Sequence, residues 1–176
     1  ELMAAYLGYD FVDSYGTVKF RLDGRIDLPA TYTAIAEAFE ASSSRIVMPG
    51  FYGAMPGGQL RLMARGGSDI TGALAAAALG ADVYENWTDV SGFLMADPRI
   101  VENPRNIEQI TFSELRELSY MGASVLHEDA VFPLRERNIP IQVLNTNRPQ
   151  DLGTIVRDKI PADPTAPLVT GIAGKK

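Results

Sequence analysis

Segments that favour strands alternate along this chain with segments that favour helices, and no other feature of the sequence limits the fold as strongly. Short strands are predicted at residues 10–13, 17–21, 45–48, 81–87 and 140–144. Helices are predicted at residues 1–9, 29–39, 70–80 and 111–122 and around Pro133, and a hairpin at residues 53–64. Strands separated by helices of this length are typical of α/β proteins with a largely parallel sheet. We therefore predict the α/β class.

Composition excludes several kinds of partner and site. The 176 residues carry a formal net charge of −6 and no cysteine. An acidic chain without a Lys/Arg cluster does not suit a nucleic acid. The longest run of small apolar residues, Ala73 to Ala81, is shorter than the roughly 20 residues that cross a bilayer, so no membrane partner is expected. The absence of cysteine fits a reducing compartment, and we expect a cytoplasmic protein.

The single histidine, His127, has no second histidine or cysteine with which to form a metal site. We expect it to pack on a helix rather than to act in catalysis, and we predict no metal ligands in this chain. The sequence also has no GxxxxGK[ST] loop and no GxGxxG fingerprint, so a nucleotide site here must be of another kind.

The segment RGGSD, at residues 65–69, precedes an alanine-rich helix that is predicted to stop at Gly80. Its glycines allow a ligand to approach the backbone closely, and the helix offers free N–H groups. Arg65 can bind a carboxylate with two hydrogen bonds, and Asp69 can bind an ammonium, so an amino acid is a suitable ligand. A simpler interpretation is equally open: Ser68 or Asp69 caps the helix, and Arg65 is a surface charge.

The segment WTDVSG, at residues 87–92, places Thr88 and Asp89 at the carboxyl end of a predicted parallel strand, where open α/β sheets bind ligands. Asp89 can contact ribose hydroxyls or a phosphate-bound metal, but from the local pattern alone a strand that simply ends in polar turn residues is the preferred explanation. In ADPR, residues 96–99, Arg99 either pairs with phosphate or is a solvated loop charge.

Six motifs in order resemble those of the aspartate kinases, which belong to the amino acid kinase superfamily. They are RGGSD with its alanine-rich helix, WTDV.G, ADPR, GA.VLH, IPI.V.NT and GT.V, and the resemblance extends from Glu1 to about Val156. It implies a three-layer αβα sandwich of the amino acid kinase type, truncated at the N-terminus. It also implies that residues 1–158 form the carboxyl-terminal portion of the catalytic domain. Residues 159–168 would be a proline-rich linker, and residues 169–176 the start of an ACT regulatory domain.

The resemblance assigns site residues by position. It implies that the amino acid is bound by Gly50, Phe51, Arg65, Gly66, Gly67, Ser68 and Asp69. It implies that the nucleotide is bound by Thr88, Asp89, Leu94, Arg99 and Ser124. Leu94 stands where many members have tyrosine, Ser124 stands where many have lysine, and Glu128 replaces a proline. The catalytic lysine loop is expected upstream, so no catalytic residue is assigned here.

The implied activity is transfer of the ATP γ-phosphoryl group to the side-chain carboxylate of L-aspartate, with Mg²⁺, at the start of lysine, threonine and methionine biosynthesis. The implied partners are L-aspartate, ATP and an ACT domain within a homo-oligomer. The chain has no lysine between residues 20 and 158, and we expect it to be inactive alone. The alternatives are a nucleotide-binding or structural module, or another kinase of the superfamily, of the glutamate 5-kinase or uridylate kinase type.

Overall fold

The computed structural model describes residues 1–43, 45–120, 126–161, 169–172 and 174. These residues divide into two compact units, residues 1–81 and residues 82–176, which are described separately. Within the described ranges, no helix has the length and apolar character needed to span a bilayer.

The first unit contains four helices and two small pairs of strands among its described residues. In chain order they are α1 (Leu2–Leu7), β1 (Asp10–Phe11), α2 (Ser14–Thr17), α3 (Leu28–Glu40), β2 (Ile46–Val47), β3 (Tyr52–Ala54), β4 (Leu60–Leu62) and α4 (Gly67–Leu79). β1 pairs with β2 in parallel, whereas β3 and β4 form the predicted antiparallel hairpin.

The core of the first unit lies where α3 packs against α4. Ile35 of α3 and Ala73, Leu74 and Ala77 of α4 are almost fully buried. Small alanine side chains let two helices approach closely, which explains the alanine-rich sequence of α4. Both predicted helix boundaries are confirmed: Asp27 caps α3 by accepting the Ala30 N–H, and α4 ends at a left-handed Gly80.

The predicted strand at residues 17–21 is wrong. Residues 14–17 instead form α2, because the Asp13 carboxylate accepts the Tyr15 N–H at 2.9 Å and starts a helical turn. Of the predicted strand, Lys19 and Phe20 form only isolated bridges to other segments. The cap therefore accounts for Thr17, whereas residues 18–21 lack a continuous strand partner among the described residues.

The second unit is built on a four-stranded sheet. Its elements are β5 (Tyr84–Thr88), β6 (Phe93–Leu94), β7 (Asn106–Ile107), β8 (Gln109–Thr111), α5 (Phe112–Tyr120), α6 (Glu128–Glu136), β9 (Ile141–Asn145) and β10 (Thr154–Arg157). The sheet order is β5-β9-β10-β8. The β5–β9 and β8–β10 pairings are parallel, and β9–β10 is antiparallel, so the sheet is largely parallel, as predicted.

α6 has a cap that corrects the interpretation of His127. The helix begins at Glu128, and Nδ1 of His127 accepts the Asp129 N–H at 3.3 Å. His127 is therefore the N-cap of α6, half-exposed, rather than a side chain packed on a helix face. The predicted end of α5 near Gly122 lies outside the described residues.

α5 begins with the capping box that the sequence predicts. The Thr111 N–H donates to the Glu114 carboxylate at 2.9 Å, and the Glu114 N–H donates to the Thr111 hydroxyl at 3.2 Å. The Thr170 hydroxyl donates to the other Glu114 oxygen at 2.5 Å, and the Ile172 N–H donates to the Met95 carbonyl at 2.7 Å. The segment 169–172, predicted to begin a further domain, thus lies against α5 and against Met95, which directly follows β6.

Glu114 predicts a specific acid sensitivity of the second unit. Burial raises the pKa of Glu114, but hydrogen bonds from Thr170 and Thr111 outweigh it and hold the pKa below its ordinary value of 4.5. A lowered pKa stabilises the fold above the unfolded-state pKa, and this contribution is lost as the pH falls through the lower folded-state pKa. In urea unfolding followed by the fluorescence of Trp87, we expect the stability difference between the natural protein and Glu114→Gln to shrink below about pH 4.5.

Glutamine is the matched replacement because it keeps the capping hydrogen bonds but has no charge. The comparison therefore isolates the effect of the charge. An equal difference at pH 4 and at pH 7 would contradict this role of the Glu114 carboxylate.

Candidate functional site

The RGGSD segment leads into the first turn of α4, which begins two residues earlier than a cap at Ser68 would place it. The N-cap is Gly66, in a left-handed conformation with φ 77°, and the helix begins at Gly67. Ser68 and Asp69 lie inside the first turn, so the interpretation that one of them is the N-cap is wrong. Glycine takes the N-cap position because its backbone adopts a positive φ without strain. Arg65, just before the cap, is exposed and forms no ion pair with the described residues.

The loop at residues 49–51 lies directly against this turn. A Cβ atom added to Gly50 would lie 2.8 Å from the Ser68 Cα, and one added to Gly67 would lie 2.7 Å from Cδ2 of Phe51. Real side chains do not approach to these distances, so both positions require glycine. The structure therefore brings together Gly50, Phe51, Gly67 and Ser68, four of the residues predicted for the amino acid site.

Phe51 has a backbone conformation that needs support from its surroundings. Its φ of 84° is in the left-handed region, which costs a residue with a side chain about 1–3 kcal/mol. Both backbone polar groups of Phe51 are satisfied: its N–H donates to Oγ1 of Thr71 at 3.2 Å, and its carbonyl accepts the Met63 N–H at 2.7 Å. Sequence reasoning missed Thr71, because no local pattern indicates a bond across twenty positions.

A cavity of about 340 Å³ opens beside this junction. It is lined on one side by Met48 and Gly50 and on the other by Ser68, Thr71 and Gly72 of α4. The rest of the lining is apolar, from Ile46, Ala75, Ala76 and Leu79, so polar groups are concentrated at the Ser68 end of the cavity. At that end the positive end of the helix dipole favours a small anionic group.

In the second unit, the predicted nucleotide residues Thr88 and Asp89 lie at the carboxyl end of β5. The Thr88 carbonyl accepts both the N–H and the hydroxyl of Thr146, at 2.8 Å and 2.6 Å. This fixes the end of β5 to the end of its parallel neighbour β9. The Thr88 hydroxyl lies 3.3 Å from Oδ1 of Asp89, whose side chain is exposed. The two residues thus lie where α/β sheets present ligand-binding groups.

The loop after Asp89 is held in place by buried polar contacts. The Phe93 N–H donates to Oγ1 of Thr154 at 2.8 Å, and that hydroxyl donates to the Ile107 carbonyl at 2.5 Å. Gly92, with φ 91°, packs against Thr154 so closely that a side chain would collide with it. Leu94 follows in β6, pairs with Asn106 and has an exposed side chain. Leu94 therefore presents an apolar surface at this position.

Arg99 forms an ion pair with Asp97, which was not predicted from the sequence. Its guanidinium binds the Asp97 carboxylate through Nε at 3.0 Å and Nη2 at 2.6 Å, while the Arg99 side chain remains 87% exposed. Hydrogen bonds from Arg99 lower the pKa of Asp97 to about 2, so the pair stays ionised at neutral pH. The spacing of the two residues in ADPR was the available signal for this pair. Ser124 lies outside the described residues.

The carboxylates of the described ranges do not form a ready metal site: no three or more His, Cys, Asp or Glu side chains cluster there. A cation that arrives with a nucleotide needs few protein ligands, because Mg²⁺ keeps several waters and binds phosphate oxygens. The exposed carboxylate of Asp89 suits such a limited role.

Comparison with known proteins gives a consistent result. The profile of the amino acid kinase family matches residues 2–145. Aspartokinase 3 of Bacillus subtilis is 43% identical over 146 residues, which are 83% of this chain and 32% of that protein. The chain thus spans about a third of the length of this relative.

Two solved structures are also similar to this chain. The aspartate kinase of Clostridium acetobutylicum aligns with a TM-score of 0.90 and 48% identity, over 98% of this chain and 39% of that one. Aspartokinase III of E. coli, solved in complex with aspartate and ADP, aligns with a TM-score of 0.80 and 30% identity, over 93% of this chain and 37% of that one.

The family match, the structural alignments and the largely parallel sheet with its helices agree on one assignment. The predicted amino acid kinase fold is confirmed, and the chain belongs to the amino acid kinase family.

Proposed function

We propose that the whole protein is an aspartate kinase, which transfers the γ-phosphoryl group of ATP to the side-chain carboxylate of L-aspartate and forms 4-phospho-L-aspartate. The observation that carries this proposal is the first turn of α4. Its cap is a glycine, its Ser68 packs closely against Gly50 of a second loop, and an exposed arginine precedes it. The high identity to aspartokinases supports aspartate as the substrate.

The amino acid site is assigned to the first unit. Arg65 pairs with the α-carboxylate of aspartate through two hydrogen bonds, and Asp69 attracts its ammonium group. Gly66, Gly67 and Ser68 supply backbone and hydroxyl groups at the positive end of α4. Gly50 and Phe51 close the site from the facing loop.

The nucleotide site is assigned to the second unit. Thr88 and Asp89 lie at the carboxyl end of β5, and Leu94, Arg99 and Ser124 are assigned to the same ligand. The E. coli relative was solved with ADP, which supports ATP as the phosphoryl donor. Mg²⁺ bound to the phosphates, near Asp89, would neutralise part of their charge.

The chemistry needs positioning more than acid–base catalysis. The side-chain carboxylate of aspartate is already ionised at neutral pH, so it attacks phosphorus without a general base. Both reacting groups are anionic, and the protein must hold them together against their repulsion. The α4 N-terminus and Arg65 perform this for the amino acid, which explains how a site without a catalytic histidine can be sufficient.

The remaining assignments follow from the same proposal. The product enters lysine, threonine and methionine biosynthesis in the cytoplasm, residues 1–158 belong to the catalytic domain, and residues 159–168 link it to an ACT domain that begins at residue 169. The active form is a homo-oligomer.

Isothermal titration calorimetry of the whole protein with L-aspartate and with Mg²⁺–ATP tests the proposal. An aspartate kinase binds both ligands. A nucleotide-binding module would bind ATP alone, and a structural module would bind neither.

Arg65 allows the first quantitative test. Arg65→Ala leaves the α-carboxylate without its partner, which costs about 2–5 kcal/mol, or roughly 30-fold or more in the KM for aspartate. The matched control is Arg25→Ala, which removes another exposed arginine of the first unit. Both variants should change the free energy of unfolding by less than about 1 kcal/mol. A near-normal KM for Arg65→Ala would show that Arg65 is only a surface charge.

The proposed nucleotide site is tested by measuring the KM for ATP of three variants at fixed Mg²⁺. Arg99→Ala should raise it severalfold, because a phosphate contact is lost. Asp97→Asn should lower it, because Arg99 no longer has to leave a charged partner. Ser124→Lys should change it about fivefold or less, the scale of a partly exposed charge contact. A large decrease in the KM for ATP with Ser124→Lys, and no increase with Arg99→Ala, would show that the phosphate contacts are assigned to the wrong residues.

We also infer that residues 1–176 alone do not turn over aspartate. The lysine that phosphoryl transfer requires has no candidate between residues 20 and 158. A coupled assay of ADP release with this chain alone should show no dependence on aspartate. Aspartate-dependent release above the rate of an ATP-only control would overturn the inference.

A further inference from the structure

The hydroxyl of Thr71 joins two segments of the amino acid site proposed above. Thr71 lies in α4, one turn after Gly67, and its side chain is only 3% exposed. The hydroxyl donates to the Gly67 carbonyl at 2.8 Å and accepts the Phe51 N–H at 3.2 Å. One buried hydroxyl therefore connects the first residue of the helix to the loop that faces it.

The bond to Phe51 has a consequence for the preceding residue. The N–H of Phe51 and the carbonyl of Gly50 belong to the same planar peptide group. When Thr71 fixes the direction of that N–H, it also fixes the direction of the Gly50 carbonyl. Gly50 lies against Ser68 and lines the cavity beside α4, so the orientation of this peptide determines which backbone groups the cavity presents.

The loop needs this support because Phe51 has an unfavourable conformation. A residue with a side chain rarely adopts a φ of 84°, and without a partner for its N–H the peptide could rotate toward a more common conformation. The Met63 N–H holds the carbonyl side of Phe51 at 2.7 Å. Thr71 is the corresponding partner on the N–H side.

We propose that Thr71 is a positioning residue for the amino acid substrate: its hydroxyl sets the Gly50–Phe51 peptide, and through it the affinity of the site for L-aspartate. The proposal rests on the proposed function for its substrate. Thr71 itself is not assigned any contact with the reacting atoms.

The test uses two variants of the whole protein and a matched control. Thr71→Val keeps the shape of the side chain and removes the hydroxyl, whereas Thr71→Ser keeps the hydroxyl and removes the methyl group. The control is Thr31→Val. Thr31 is also fully buried in a helix of the first unit, and its hydroxyl accepts a backbone N–H from a different loop, that of Lys19, at 3.0 Å.

We expect Thr71→Val to raise the KM for aspartate about fivefold or more, the effect of one lost neutral hydrogen bond, with a much smaller change in kcat and in the ATP KM. Thr71→Ser should restore the KM, and Thr31→Val should leave it unchanged while it destabilises the fold comparably. An unchanged aspartate KM in Thr71→Val, or an equal rise in Thr31→Val, would overturn the proposal. If Thr71→Val does not fold, Thr71→Ala removes the same hydroxyl with a better helix former, and the same outcomes apply.

Hydrogen exchange separates this inference from the proposed function. The Phe51 amide should exchange faster in Thr71→Val than in the natural protein or in Thr71→Ser, whatever the substrate is. Equal exchange rates would contradict the link between Thr71 and the loop. If the exchange rates differ between the variants as expected but the natural protein shows no aspartate-dependent turnover, the assignment of aspartate as the substrate is wrong instead.

Discussion

The loop at residues 49–51 and the first turn of α4 are closer together than any side chain at Gly50 or Gly67 would permit. This contact determines much of the first unit. It requires glycine on both surfaces, a left-handed Phe51, and a buried hydroxyl that satisfies the Phe51 N–H. Gly66, whose backbone adopts a positive φ without strain, is the N-cap of α4. Ser68 then lies within the first turn and lines the cavity.

In the second unit, the main constraint is the charge of the proposed nucleotide ligand. The net charge of the chain is −6, yet its proposed ligand on this side carries several negative charges. Arg99 already shares its charge with Asp97, and Leu94 presents an apolar surface in β6. A nucleotide here must therefore depend on backbone groups, on an accompanying cation and on the release of Arg99 from its partner. The ordered strand end at Thr88, fixed by Thr146, provides a rigid base for such contacts.

Sequence reasoning succeeded where structure is determined by neighbours along the chain. The caps at Asp27 and at Thr111 with Glu114, the stop at Gly80 and the hairpin are local features, and all are confirmed. The strand predicted at residues 17–21 is wrong because Thr17 belongs to the helical turn capped by Asp13, and Lys19 and Phe20 form only isolated bridges. The short strands β6, β7, β8 and β10 were missed because each depends on pairing with residues outside its own segment.

The same distinction applies to the candidate site. The glycines and Ser68 were located from the motif, because close backbone approach requires glycine wherever it occurs. Thr71 and Asp97 were not, because their roles depend on partners or orientations that no periodic pattern encodes. Both lie within or next to motifs that the sequence identified, so the motif gave the location of the site but not its supporting bonds.

We propose that this site accepts aspartate and that the whole protein makes an acyl phosphate from it. The most direct measurement incubates the whole protein with Mg²⁺–ATP and hydroxylamine, which traps acyl phosphates as hydroxamates, and compares L-aspartate with L-glutamate and UMP. We expect ADP release and hydroxamate formation with L-aspartate alone. Turnover with L-glutamate or UMP but not with L-aspartate, or ADP release without hydroxamate, would contradict it.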